Sequence, residues 1–112
     1  MKSAIEFSYQ AILESLRLNQ VMHLKSGGLY LFIAPSSTKI NGVLFDQAIH
    51  YRISDSNTKH VTFQFIRMVY NFYRENKSFP SRSYLREQLP HELCPIPCNY
   101  SVAIAIVTRF IQ

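Results

Sequence analysis

The stretch TKHVTFQFIRMVYNFYRENKSFPSRSYLREQLP, residues 58–90, is where the spacing of apolar residues changes and where the fold is decided. Phe65, Ile66, Val69, Tyr70 and Tyr73 recur every three or four residues, the period of a helix with one buried face. The stripe ends at Asn76 and Lys77, so the spacing predicts a helix over 59–76. Ser81 then follows Pro80 as an N-cap, with Tyr84, Leu85 and Leu89 expected inward and Pro90 as the stop. A short second helix results.

Upstream of this stretch the period is two. In AIHYRIS, residues 48–54, Ile49, Tyr51 and Ile53 alternate with His50 and Arg52, as in a half-buried strand. Asn41-Gly42 is a common two-residue hairpin signal between Ile40 and Val43, Leu44 and Phe45. Ser26-Gly27-Gly28 separates two further apolar runs, predicting strands at about 21–25 and 29–34, with Pro35-Ser36-Ser37-Thr38 as loop. At the N-terminus, Ser3 and Glu6 have capping-box spacing, and Ile5, Tyr9, Ile12, Leu13 and Leu16 continue at helical spacing, predicting a helix from about Ser3 to Leu18.

Downstream, NYSVAIAIVTRFIQ, residues 99–112, reads as a closing helix from about Tyr100 to Phe110, capped by Asn99 or Ser101. Val102, Ile106 and Phe110 form one apolar stripe and Ile104, Val107 and Ile111 another, leaving a narrow face of Ser101, Ala105, Thr108 and Gln112. A helix that apolar demands burial on two sides, between sheet and helices or in a dimer interface. The fold class is therefore α+β in a single domain over residues 1–112. An N-terminal helix and a small antiparallel sheet fill 1–58, and a three-helix, helix-turn-helix-like half fills 59–112.

At 112 residues with 47% apolar composition, 7 Tyr and 8 Phe, the chain has ample material for one core, and a disordered reading is excluded. The net charge of +5 lies mostly in the second half, where seven basic residues face Glu75, Glu87 and Glu92. Arg74, Lys77, Arg82 and Arg86 gather around Glu75, which makes either a phosphate-facing patch or an ordinary solvated face. No run approaches the roughly 18 apolar residues of a membrane span, and the N-terminus lacks the apolar segment of a signal peptide, so the expectation is cytoplasmic with no membrane partner.

The order of a long helix, a loop holding Phe-Pro-Ser, a short helix and a third helix resembles the start of a winged-helix DNA-binding domain of the LexA-repressor type, over residues 61–112. The connection between Leu89 and Asn99 is longer than that family's tight turn and holds three prolines, and any wing would have to come from the upstream sheet. The resemblance implies a dimeric regulator that reads duplex DNA with Asn99, Tyr100 and Ser101. Ser81 and Arg82 would meet phosphates at a helix start. The alternative is a protein-interaction module or inhibitor that engages a larger complex through the apolar closing helix and the sheet edge.

His91, Cys94 and Cys98 have the spacing H-x2-C-x3-C, which a metal could use if His23, His50 or His60 supplied a fourth ligand. Two half-buried free thiols in a proline-stiffened loop are the favoured reading, and no metal or cofactor is expected. The acids are scattered, no nucleophile sits beside a base, and the Gly-Gly turn lacks the lysine of a phosphate loop. No enzyme is expected. Of the aromatic residues that could stack bases, Tyr30, Phe32, Tyr51, Phe63, Phe72 and Phe79, most are assigned to the core.

Overall fold

The structure is a computed structural model that describes residues 7–16, 21–23, 29–40, 42–53, 58–89, 91 and 98–111. The described elements run α1 (Tyr9–Ser15), β1 (Val21–His23), β2 (Leu29–Ile40), β3 (Val43–Ile53), β4 (Thr58–Thr62), α2 (Phe63–Asn76), α3 (Arg82–Gln88) and α4 (Asn99–Ile111). The strands form one antiparallel sheet in chain order, β1-β2-β3-β4, which makes this an α+β fold of the expected order.

The switch from strand to helix happens at one residue. Thr62 ends β4 in extended conformation, and its hydroxyl accepts a hydrogen bond from the Phe65 amide at 3.1 Å, capping α2. The predicted helix begins four residues too early: Lys59–Thr62 pair with β3, Val61 opposite Ile49, and β-branched side chains suit that pleated setting. From Phe63 on the expected stripe holds, with Phe65, Ile66 and Val69 buried and Tyr70 and Tyr73 half-buried. The helix ends where Lys77 turns left-handed at φ 57° and its amide donates to the Tyr73 carbonyl at 2.8 Å.

Ser81 caps α3 as its sequence position requires, accepting from the Tyr84 amide at 3.1 Å. Leu85 is the buried residue of α3, and Tyr84, expected inward, is 38% exposed with its ring 5.0 Å from that of Phe72. A seven-residue helix has room for a single buried row, and Tyr84 lies about 100° round from Leu85.

The first helix is shorter than its periodicity suggested. Ser8 is extended and caps α1 by accepting from the Ala11 amide, and Leu16 returns to extended backbone at the other end, while the Ser3 and Glu6 box lies outside the described residues. The β2–β3 hairpin closes as expected, Ile40 opposite Val43, with Gly42 at φ 79°. However, β2 runs straight through Pro35-Ser36-Ser37-Thr38, which sequence assigned to loop. One register shift, between Phe32 and Ala34, precedes that segment and another, between Ser36 and Thr38, lies within it, and irregular ladder of this kind tolerates a residue without an amide hydrogen. The Ser26-Gly27-Gly28 turn lies outside the described residues, but the strands it would join do pair, His23 opposite Leu29.

On β3 the alternation holds from 49 to 52, with Ile49 and Tyr51 buried, His50 half-buried and Arg52 exposed, while the side chain of Ile53 lies outside what the structure describes. The core joins those two residues to Val61, to Phe65, Ile66 and Val69 of α2, to Ile12 of α1, to Leu85, and to Val102, Ala103, Ile106 and Val107 of α4. The closing helix is thus interior, packed against α2, α1 and β4. Phe7, just ahead of α1, packs over this assembly, its ring stacked at 3.8 Å on Tyr70 and edge-on to Phe110 at 5.0 Å. Arg109 of α4 donates from Nε to the Ser15 carbonyl at 2.6 Å, and Tyr9 donates to the Ala48 carbonyl at 2.6 Å, so α1 is tied at both ends.

Asn99, at the start of α4, is wholly buried and accepts a hydrogen bond from the Tyr51 hydroxyl at 2.5 Å. Its Nδ2 has no partner among the described residues. Asn99 is therefore not the cap, because its side chain points into the core, and Val102 donates its amide to the Cys98 carbonyl one residue earlier. Since Tyr51 is the described partner of that buried amide, Tyr51→Phe should destabilise the fold by about 1–3 kcal/mol, read as a lower urea midpoint at unchanged slope.

Candidate functional site

The start of α3 and the start of α4 meet. Tyr100 donates its hydroxyl to the Pro80 carbonyl at 2.9 Å, and the Arg82 guanidinium lies 4.5 Å from the centre of the Tyr100 ring. Ser81, Arg82 and Tyr100 therefore share one surface, with Arg86 one helical turn beyond Arg82. Arg74 and Lys77 stand at the end of α2, where the chain turns toward that surface, and both are exposed. Arg74 is held over the Tyr70 ring at 5.8 Å. The exposed acids of this segment are Glu75 and Glu87, so its basic residues outnumber its acids by four to two.

Asn99 does not belong to this surface. It was expected to read bases, but it has no accessible area and its oxygen is committed to Tyr51. Ser101 is half-buried, and the Tyr100 hydroxyl is engaged with Pro80. The start of α4 is thus a support for α3. The helix that does present side chains to solvent is α3, where Ser83, Tyr84, Arg86, Glu87 and Gln88 are all exposed.

Sequence reading missed Arg67, which is seven residues before Arg74 and so lies on the same exposed face of α2. It sits over the Phe63 ring at 5.7 Å, beside a shallow groove of 270 Å³ that reaches along α2 to Tyr84. The spacing of Arg67 and Arg74 was available in the sequence.

A pair with no such signal is His50 and His60. They are directly opposed on β3 and β4, both half-buried, with parallel rings 4.5 Å apart. Only the strand register brings residues ten apart in the chain into that stack. The cysteine-rich candidate does not assemble from described residues: His91 is exposed, Cys98 is a half-buried free thiol, and Cys94 lies outside them. No three of His, Cys, Asp and Glu converge as a metal site among the described residues. Among the described residues no helix is long and apolar enough to cross a membrane.

No family model, curated protein or solved structure matches this chain.

Burial, and then the neighbouring His50, hold the His60 imidazole below its ordinary value of 6.5. The unfolded chain therefore takes up a proton at a higher pH than the folded chain does, and below pH 6.5 acid favours unfolding until His60 is protonated in the fold as well. Stability measured by urea unfolding at pH 7.5, 6.5 and 5.5 should fall toward the acid end, and His60→Phe, which keeps a ring in the stack, should flatten that decline.

Proposed function

We propose that this protein is a small duplex DNA-binding module that docks through α3 and the end of α2. The observation that carries the reading is the gathering of Arg74, Lys77, Arg82 and Arg86 around one helix–turn–helix segment, whose second helix buries Leu85, half-buries Arg82 and exposes its other five residues. Exposed guanidinium and ammonium groups on such an edge suit the phosphate backbone, which supplies most of the affinity of DNA binding and all of its salt dependence. The resemblance to winged-helix domains supports the same reading, with α3 in place of α4 as the docking helix. Base reading then falls to the exposed face of Ser83, Glu87 and Gln88, while Ser81 remains occupied in capping.

A second reading, a protein-interaction module, draws on Val43 and Leu44, which are 57% and 59% exposed at the hairpin tip. The closing helix gives it less support than the sequence promised, because Val102, Ala103, Ile106 and Val107 are spent in the chain's own core.

The readings separate in one titration. Fluorescence anisotropy of a labelled mixed-sequence duplex should show saturable binding whose logarithmic affinity falls linearly with logarithmic salt concentration. The double variant Lys77→Ala with Arg86→Ala should lower that slope by about 2, one contact for each charge removed. Binding that is absent at low salt, or insensitive to salt, would overturn the proposal and leave the interaction module standing.

A further inference from the structure

We propose that His50 and His60 form a two-imidazole chelate for a first-row divalent metal ion, Ni²⁺, Cu²⁺ or Zn²⁺, with water completing the coordination. The proposal stands apart from the DNA reading, which uses neither residue.

The scaffold for such a chelate is already in place. His50 and His60 are register partners in an antiparallel ladder, and opposed residues of that kind hold their Cβ atoms about 4.5–5.5 Å apart. On the flanking positions of the same face, Ala48 and Thr62 are buried, whereas Arg52 and Thr58 are exposed. The two rings thus sit on the boundary between covered sheet and solvent, where strands fix their bases and an ion can still reach their edges. The residue beside His50 on β2 is Ala34, which leaves room for bound water.

The rings lie within reach of a chelate, though their stack has to open to form it. Imidazole nitrogens lie about 2.0–2.1 Å from such ions, so two on adjacent positions are about 3 Å apart. The parallel rings, 4.5 Å apart at their centres, need to tilt so that their in-plane lone pairs converge and their edges close by about 1.5 Å, a movement for the side-chain torsions of histidine, whose χ2 well is broad. Neither imidazole makes a hydrogen bond to a described residue, so no described partner has to be displaced.

The chemistry agrees. Imidazole suits nickel, copper and zinc, and a metal needs it neutral. The described cation on this face is Arg52, which is exposed and sets the affinity in the modest range of a two-ligand site.

The test is calorimetric titration of the intact chain at pH 7.5 with each of the three metal chlorides in turn. The expected result is one ion per chain for at least one metal. The dissociation constant should weaken at least about tenfold in His50→Ala and in His60→Phe, which retains the ring stack, and stay unchanged in His91→Ala. Binding should also weaken as the solution is acidified, because protons compete with the metal for imidazole nitrogen. Absence of stoichiometric binding by all three metals, or a constant that His60→Phe does not change, would overturn the proposal.

Discussion

A helix that is apolar around most of its circumference must be covered from more than one side, and Asn99–Ile111 places that demand on the whole molecule. Its neighbours are arranged to meet it. The buried stripe of α2 takes one flank, Ile12 of α1 and the Arg109 tether take another, and Val61 with Tyr51 brings the sheet against the third. Each large side chain buried in this way contributes about 1.5–3 kcal/mol. The polar exception at the buried start of the helix, Asn99, is tolerated because the Tyr51 hydroxyl reaches it from the sheet.

Spending α4 on the core has a consequence for the surface. A chain that buries its most apolar helix is left with α3 and the outer face of α2 as the helical surface it can offer a partner. These are the segments where arginine is concentrated. The order of helices alone puts a reading face at the start of α4. The packing buries Asn99 at that start, so the docking face we propose is α3, with Tyr100 beneath Arg82 and Pro80.

What was legible in the sequence was whatever depends on local spacing: the α2 stripe, the Ser81 cap, the Asn41-Gly42 hairpin and the alternation of Ile49 and Tyr51. The misses have a common cause in tertiary pairing. Lys59–Thr62 continued a helical pattern and became strand because β3 was there to receive it, and Pro35 became strand because shifts in the ladder accommodate it. Asn99 looked like a cap, as asparagine before an apolar run often is. Its role was set by a residue 48 positions away, which no local spacing reveals. The His50 and His60 stack is hidden for the same reason, since a one-residue slip of register would send the two rings to opposite faces.

The basic residues of α2 and α3 are also unequal in a way that bears on how an anion would be held. Arg67, Arg74 and Arg82 each lie against an aromatic ring, Phe63, Tyr70 and Tyr100 respectively. A guanidinium resting on a ring has already given up much of its rotamer freedom, so an anionic partner loses less entropy in engaging it. Lys77 and Arg86 are exposed, and Lys77 is held only through its left-handed backbone. The stacked arginines therefore supply fixed geometry, and Lys77 and Arg86, which lie over no described ring, supply adaptable charge. A surface combining the two can keep one orientation on a regular phosphate backbone while tolerating local differences along it, which is what docking on duplex DNA requires.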